Sequence, residues 1–165
     1  MADAKFVERA YDLFAGTIYR VCMMYLKRPA DAEDAVSDTF LKLLSYRGEF
    51  NGDDHLKAWL IVTARNRCKN TLTHWWNRVR VELDSIPEPA APAENLTALV
   101  VEGLPEKYRE ALYLYYYEGY SCTEASKMLG ITESAFWSRM KRGRELLRME
   151  MEEERDERKR IQSGV

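Results

Sequence analysis

Apolar residues recur every three or four positions along most of the chain, the spacing that lines one face of an α-helix. Before residue 84 this spacing predicts three helices. Their apolar faces comprise, in order, Phe6, Ala10, Leu13/Phe14, Ile18, Val21/Cys22 and Tyr25; Ala32, Ala35/Val36, Phe40 and Leu43/Leu44; and Leu56, Trp59/Leu60, Thr63/Ala64, Cys68 and Leu72. Pro29 and the acidic residues after it mark the start of the second helix. Glycines and an asparagine within residues 47–53 predict a loop before the third.

A second group of short helices is predicted after residue 94. One short apolar pattern ends at Gly103, and a stripe of Tyr108, Ala111/Leu112 and Tyr115 ends at Gly119. Ser121 can cap a helix that runs through Leu129, Gly130 can form a left-handed turn, and Thr132 can cap the next helix. The apolar side of that last helix comprises Phe136, Met140, Gly143 and Leu147. Helix, glycine turn, helix is typical of DNA-binding proteins, and no segment alternates as a strand does, so the predicted fold is all-α.

Residues 84–94 separate the two groups of helices. They contain three of the five prolines and show no amphipathic period, and residues 81–96 carry four acidic side chains and no basic one. We therefore predict two small helical domains, 1–83 and 95–150, joined by an acidic linker over 84–94. Residues 151–165 form a charged tail, read as a solvated helical extension or a frayed end.

Composition narrows the class of protein. The chain has 165 residues, 46% of them hydrophobic, and a formal net charge of −2, which suits a core-forming protein. No apolar run is long enough for a membrane span and the start lacks a secretory stretch, so the expected location is the cytoplasm. The three cysteines are too scattered for a disulfide framework or a metal site, and we expect reduced, mostly buried thiols. No catalytic set, metal or cofactor is expected.

Positive charge is concentrated in two stretches, one in each predicted domain. Residues 65–80 contain five basic side chains and no acid, interleaved with His74, Trp75 and Trp76. Residues 139–148 contain five basic side chains and one acid. A single stretch of this kind is usually a solvated helix face. One on each domain favours binding of nucleic acid, because clustered Lys and Arg neutralise phosphates.

Several motifs resemble those of a known family. They comprise Asp31-Ala32-Glu33-Asp34-Ala35-Val36, Thr39-Phe40-Leu41-Lys42-Leu43-Leu44, Trp59-Leu60 and Ala64-Arg65-Asn66 in the first half, and Leu104-Pro105-Glu106-Lys107-Tyr108-Arg109-Glu110, Tyr116-Tyr117-Glu118-Gly119-Tyr120-Ser121, Leu129-Gly130-Ile131-Thr132-Glu133-Ser134 and Ser138-Arg139 in the second. Together they resemble bacterial RNA polymerase sigma factors of the small extracytoplasmic-function (ECF) type, over roughly residues 6–148. The resemblance implies sigma regions 2 and 4, which bind core polymerase, recognise the minus-ten and minus-thirty-five promoter elements and open the duplex.

The resemblance also implies where the polymerase binds. The segment 31–44 matches the family's contact with the clamp helices of the beta-prime subunit, and the beta flap is the expected partner of region 4. The implied polymerase-binding residues are Asp31, Asp34, Asp38, Phe40, Lys42 and Leu43. We expect Val36, Phe40, Leu43 and Leu44 to pack inward, and Asp34, Asp38 and Lys42 to face outward.

For promoter DNA, the resemblance implies two groups of contacts in the first domain. Phe50, Asn51, Gly52 and Asn66 match the family's pocket for a base flipped from the minus-ten strand, where an aromatic ring, loop backbone and an amide replace the lost stacking and hydrogen bonds. Arg65, Arg67, Lys69 and Arg78 would hold phosphates. Trp75 and Trp76 match no family role, and the linker can equally imitate a transcript in the RNA path or serve as a solvated hinge.

In the second domain the resemblance implies a recognition helix that enters the major groove. Its implied DNA-binding residues are Thr132, Ser134, Trp137, Ser138, Arg139, Lys141 and Arg142. Trp137 departs from the family, which often has a basic residue here, so the minus-thirty-five sequence stays open. Gly143 replaces the usual alanine and is expected to permit close packing on the scaffold helix, the one that Ser121 caps. The scaffold helix also departs from the family's pattern at Ala125-Ser126, because the family usually has a larger aliphatic residue at the first of these two positions.

Other classes of protein stay open at this point. A stand-alone helix-turn-helix regulator would bind operators without polymerase, usually as a dimer on two equal half-sites. An interaction protein with an acidic partner would use the same basic faces. An enzyme is disfavoured because no nucleophile, metal set or acid-base pair is found. An anti-sigma factor is a further possible partner.

Overall fold

The computed structural model describes residues 2–79 and 103–164, with side chains described for 2–74 and 103–164. These residues form six α-helices and one π-helical turn, without strands, and the all-α prediction is confirmed. The chain divides into two compact units, residues 1–91 and 92–165. Within the described ranges, no helix has the length and apolar content that crossing a bilayer requires. The predicted linker and the short apolar pattern before Gly103 lie outside the described residues.

Unit 1 contains α1 (Ala4–Leu26), α2 (Pro29–Ser45) and α3 (Gly52–Val79), which pack against one another. α1 ends where Lys27 adopts a left-handed φ of 59° and its N–H donates to the Met23 carbonyl at 3.0 Å. Pro29 then starts α2, in the first turn, where the missing N–H has no partner to lose. α3 starts at Gly52, so the predicted loop is shorter than expected and Asp53 belongs to the first turn of the helix.

Helix periodicity predicted most of the unit 1 core. The largest fully buried side chains are Ile18, Val21, Cys22, Thr39, Leu43, Leu56, Leu60 and Cys68. Leu13 and Leu44, by contrast, are 51% and 38% exposed. The prediction that Leu44 packs inward is wrong: Leu43 takes the core side of α2, and its neighbour is turned by about 100° around the helix axis.

Unit 2 contains α4 (Glu106–Leu112), a π-helical turn (Tyr113–Tyr117), α5 (Cys122–Leu129) and α6 (Glu133–Gln162). The π-helical turn closes with the Glu118 N–H donating to the Tyr113 carbonyl at 3.1 Å, the five-residue spacing of that helix type. Phe136 and Met140 are fully buried against the shorter helices, together with Ala111 and Ala125. The tail beyond residue 150 continues α6 as an exposed helix through Gln162.

Gly143 permits a close approach, as predicted, but to a different helix. A Cβ at this position would lie 3.0 Å from Leu112 Cδ1 and 3.3 Å from Tyr108 Cβ. Both neighbours belong to α4, so the expected contact with the scaffold helix α5 is wrong. The glycine brings α6 against α4, which holds the start of α6 in place.

Candidate nucleic-acid interface

Local capping builds the helix-turn-helix of unit 2. Ser121 and Glu124 form a reciprocal capping box: the Glu124 N–H donates to Ser121 Oγ at 3.1 Å, and the Ser121 N–H donates to the Glu124 carboxylate at 2.9 Å. Gly130 then adopts φ 67° and ψ 33°, the left-handed turn that glycine takes at no steric cost. Thr132 Oγ1 accepts from the Ala135 N–H at 3.1 Å and starts α6. The predicted caps and turn are confirmed.

α6 presents one polar and basic face to solvent. Phe136, Met140 and Gly143 are buried on the opposite face. Six residues of the predicted DNA-binding set are exposed here, alongside Glu133, Arg144 and Glu145: Thr132, Ser134, Trp137, Ser138, Lys141 and Arg142. Because an α-helix fits the major groove of B-DNA, this face has the size and the charge to bind a duplex.

Arg139 differs from the other predicted DNA-binding residues of α6. Its side chain is 26% exposed, and its Nη1 lies 3.5 Å from Oε1 of Glu110, whose side chain is 1% exposed. Burying a carboxylate is costly unless a cation or hydrogen-bond donors compensate. The Arg139 guanidinium thus compensates a buried acid on α4, and its direct contact with DNA stays a prediction.

Two further pairs set the charge around this face. Arg142 Nη1 lies 3.4 Å from Glu145 Oε2 on the exposed surface, a pair too weakly held to withdraw Arg142 from a phosphate. Arg144 donates to the Tyr116 hydroxyl at 3.1 Å. Lys141 stays exposed on the same face of α6.

In unit 1 an aromatic cluster supports the loop before α3. The Phe50 ring contacts Phe6, Tyr46, His55 and Trp59, with ring centroids separated by 6.1, 5.1, 5.5 and 5.6 Å, respectively. Trp59 is half-buried beneath this loop. An open cleft of about 380 Å³ lies beside it, lined by Ala2, Phe6, Tyr46, Gly48, Glu49 and Phe50. Phe50 thus both packs in the cluster and forms part of the cleft wall.

Polar contacts fix the other end of the same loop. The Asn51 N–H donates to His55 Nδ1 at 2.9 Å, so the neutral ring carries its proton on Nε2. Gly52 has a φ of 86°, which favours glycine. Asp53 accepts two hydrogen bonds from Arg9 of α1, at 2.8 and 2.9 Å, which ties the start of α3 to α1.

These contacts shift three pKa values in the expected directions. Hydrogen bonding by the Arg9 guanidinium holds the pKa of Asp53 below its ordinary value of 3.8. The backbone N–H of Ser121 lowers the pKa of Glu124. Partial burial, and secondarily the Glu133 carboxylate, raises the pKa of Cys122, which keeps this thiol protonated and weakly nucleophilic.

Asn66 and the loop do not share a pocket. Asn66 is exposed on α3, fourteen residues beyond Gly52, a separation of about 21 Å at about 1.5 Å per residue. One flipped base cannot touch both. The prediction of a single pocket made of Phe50, Asn51, Gly52 and Asn66 is therefore wrong.

The residues of α3 predicted to hold phosphates differ in their surroundings. Arg67 binds Asp38 of α2, at 2.7 Å from Nε and 2.6 Å from Nη2 to the same oxygen, and donates to Thr71. Arg65 and Lys69 are half-buried. The side chains of Arg78, Trp75 and Trp76 lie outside the described residues. The Arg67 pair is exposed, so phosphate can compete for the guanidinium.

The outer face of α2 combines carboxylates with apolar residues. Asp34 and Lys42 are exposed, and Asp31 and Asp38 are half-exposed. Phe40 and Leu43 are 5% and 0% exposed, so their prediction as direct polymerase contacts is wrong: they belong to the core. Leu41, by contrast, is 62% exposed, three residues after Asp38 and seven after Asp34. Residues with these spacings share one face of an α-helix, so Leu41 lies on the same face as the two carboxylates. The sequence alone would have allowed this prediction.

Comparisons with known proteins decide the family. Residues 10–77 match sigma-70 region 2 and residues 96–147 match sigma-70 region 4. The RNA polymerase sigma factor CarQ of Myxococcus xanthus is 30% identical over 149 residues, covering 83% of this chain and 86% of CarQ. The chain belongs to the sigma-70 family. It is a sigma factor of the ECF type, as the resemblance predicted.

Two other similarities agree with the sigma-factor assignment. The ECF RNA polymerase sigma factor SigM of Bacillus subtilis is 28% identical over 154 residues, covering 86% of this chain and 93% of SigM. Among solved structures, the sigma factor RpoE of Bartonella quintana, in complex with the anti-sigma factor NepR, has a TM-score of 0.76 at 23% identity, covering 88% and 96% of the two chains. That likeness shows the fold.

As a sigma factor, this protein directs core RNA polymerase to specific promoters and initiates DNA-templated transcription. Its partners are core RNA polymerase and promoter DNA. The family assignment favours this function over that of a stand-alone regulator. Sigma factors are regulatory subunits of the polymerase.

Proposed function

We propose that the two units divide promoter recognition between them, with unit 1 (sigma region 2, within 1–83) at the minus-ten element and unit 2 (sigma region 4, within 95–150) at the minus-thirty-five element. The observation that carries this proposal is the exposed polar and basic face of α6, directly after a capped helix-turn-helix. Residues 84–94 would connect the units, and residues 151–165 would form a tail beyond the DNA-binding part.

In unit 2 the charged side chains and the hydroxyl side chains would make different contacts with DNA. Lys141 and Arg142 supply positive charge for phosphates, which fixes position without reading sequence. Thr132, Ser134 and Ser138 supply hydroxyl groups that can donate to or accept from base edges. Arg139 pairs with Glu110 of α4, which helps to fix the position of α6.

In unit 1 the two ends of the predicted pocket meet different nucleotides of the opened strand. The cleft beside Phe50, together with the Asn51 and Gly52 backbone, is suited to one extruded base, because its wall is aromatic. Asn66, about 21 Å away along α3, would contact another base with its amide. Arg65, Arg67, Lys69 and Arg78 would hold the backbone between them.

Polymerase binding is proposed for the outer face of α2. Asp31, Asp34, Asp38 and Lys42 offer charged groups for the clamp helices of the beta-prime subunit, and Leu41 adds an exposed apolar side chain among them. Region 4 would meet the beta flap. The buried Phe40 and Leu43 support this face from inside.

We propose further that this sigma factor acts in the cytoplasm, performs no bond chemistry of its own, and is restrained by an anti-sigma factor. The RpoE relative in complex with NepR supports the last point, since it has the same fold.

The direct test is transcription by core RNA polymerase reconstituted with this protein on a randomised promoter library. We expect transcripts from a limited set of start sites that share two upstream elements. Absence of a complex with core, or start sites that share no sequence, would contradict the proposal.

The role of Asn66 can be tested in the same assay. Asn66→Ala should lose base preference at one position of the minus-ten element while binding core as tightly as the wild type, because the amide side chain is exposed and supports no packing. Asn70→Ala, an exposed asparagine one turn further along α3, is the matched control and should leave promoter choice unchanged. Identical selected sequences for wild type and Asn66→Ala would refute the base contact.

A further inference from the structure

Trp137 lies in the second turn of α6 on the side that faces solvent. Its side chain is 46% exposed, which is unusual for the largest apolar residue type at a site with polar neighbours. Ser134 is one turn before it, Lys141 is one turn after it, and Ser138 follows it directly. An apolar ring thus sits among the groups proposed to contact a duplex.

Neighbouring rings hold the indole in place. Tyr115 packs against Trp137 in a T-shaped arrangement, with centroids 6.1 Å apart, and also contacts the fully buried Phe136 at 6.5 Å. Tyr116 packs edge to face on Tyr115 at 5.1 Å, and its hydroxyl accepts a hydrogen bond from Arg144. The indole is therefore preorganised rather than free to fold back, which lowers the entropy lost on binding.

The chemistry of the indole limits what it can read. It has one N–H donor and no acceptor, so it cannot form the paired hydrogen bonds by which arginine recognises guanine. The apolar group in the major groove is the 5-methyl of thymine, which proteins read by apolar contact. The basic charge of Lys141 and Arg142 next to the ring fits a polyanionic duplex better than an apolar protein surface.

We propose that Trp137 selects thymine in the minus-thirty-five element by packing on its 5-methyl group, with Tyr115 as the residue that positions the indole. This inference rests on the proposed binding of α6 in the major groove. It assigns this sigma factor an apolar, methyl-dependent contact at a position where the family often has a basic residue.

The test removes the methyl group without changing base pairing. Holoenzyme made from core polymerase and this protein first selects a minus-thirty-five element from a randomised duplex. Each thymine of that element is then replaced singly by deoxyuridine. We expect one substitution to weaken binding of the wild-type holoenzyme about threefold to fivefold, the size expected for one buried methyl group.

Variants assign that effect to the indole. Trp137→Ala should bind the thymine and deoxyuridine duplexes equally well, and Trp137→Phe, which keeps an apolar ring, should keep part of the difference. Tyr117→Ala is the matched control: this tyrosine is a 60% exposed aromatic residue of the same unit that lies outside α6. It should keep the full methyl dependence.

The outcomes separate this inference from the proposed function. If the holoenzyme selects no upstream element, the proposed role of unit 2 fails. If it selects one, but wild type and Trp137→Ala respond alike to every deoxyuridine, the thymine contact is overturned while promoter recognition stands. The thymine contact is also overturned if Trp137→Ala loses the same factor of affinity on thymine and deoxyuridine duplexes, because the methyl dependence then persists without the indole.

Discussion

The buried carboxylate of Glu110 orients the side chain of Arg139, which the sequence alone assigns to DNA binding. Glu110 is 1% exposed and lies on α4, and Arg139 reaches it from α6. The two residues are 29 positions apart in sequence, so no local pattern predicts their pairing. Burial of Glu110 was equally unpredictable, because glutamate on a short amphipathic helix is normally solvated.

Arg139→Met should destabilise unit 2 by about 2 kcal/mol. The value is below the ~3–5 kcal/mol of a fully buried pair because the Arg139 side chain is 26% exposed. Urea unfolding with segment-resolved hydrogen exchange on α4 and α6 measures the change. Glu110→Gln in the same chain should restore part of the loss, since it removes the buried negative charge that Arg139 offsets in the wild type.

Arg142→Met serves as the control for that prediction. Its partner Glu145 is exposed, so its loss should cost less than about 0.5 kcal/mol. Equal losses for the two methionine variants would show that the Arg139 pair contributes no more than a surface pair.

At the scale of helices, the sequence predicted where helices begin and end better than it predicted which side of each helix is buried. Ser121, Gly130 and Thr132 act through neighbours within four positions, so their roles are written in the local sequence. Which of Leu43 and Leu44 enters the core depends on how α2 packs against its neighbours, and so does the partner of Gly143. No local signal indicated the π-helical turn at Tyr113–Tyr117.

The glycine turn of the helix-turn-helix should tolerate few substitutions. Gly130→Ala should destabilise unit 2 by about 1 kcal/mol because φ is 67°, and Gly130→Asn should cost less. Gly16→Ala is the opposite case: this glycine lies inside α1, where an added Cβ meets only Arg20 Nη1 at 3.7 Å, so the variant should gain up to about 1 kcal/mol. Denaturant unfolding measures the change in the free energy of unfolding for both variants. A Gly130→Ala protein as stable as the wild type would show that the left-handed turn does not require glycine.

The Arg9–Asp53 ion pair between α1 and α3 should make the stability of unit 1 depend on pH in the acid range. The folded state lowers the pKa of Asp53, so its contribution to stability is complete above about 3.8, the ordinary value, and is lost as the pH falls through the folded pKa. Unfolding of wild type and Asp53→Asn from neutral pH to about pH 2 measures this: the two curves should converge in acid.

Asp54→Asn provides the comparison for the acid effect. Asp54 stands in the same first turn of α3 and is exposed. Its variant should change the free energy of unfolding at neutral pH less than Asp53→Asn does, because Asp53 accepts the hydrogen bonds from Arg9. Parallel curves for wild type and Asp53→Asn down to the acid limit would contradict the role of the Arg9 pair.

For the whole molecule, the sequence predicted two helical units and the family, since each unit carries its own apolar periodicity and its own motifs. It missed that Leu41 is exposed among the charged residues on the outer face of α2, the face that we propose binds polymerase. Leu41→Asp should weaken binding of core polymerase at least tenfold, as expected for an apolar contact replaced by a charge, while the free energy of unfolding changes by less than about 0.5 kcal/mol.

Met149→Asp, which changes a 53% exposed apolar residue of α6, controls for surface charge. It should leave the affinity for core polymerase unchanged. Competition between labelled and variant protein for core polymerase gives both affinities, and an unchanged affinity for Leu41→Asp would remove this residue from the interface.

The exposed end of α6 has a practical consequence. Residues 151–162 continue the helix with every side chain in water, a length of about 18 Å at about 1.5 Å per residue. A dye or an affinity tag attached after Gln162 is thereby held at a distance from the buried residues of α6, Phe136, Met140 and Gly143. A label on this exposed stretch should therefore leave the packing of unit 2 unchanged.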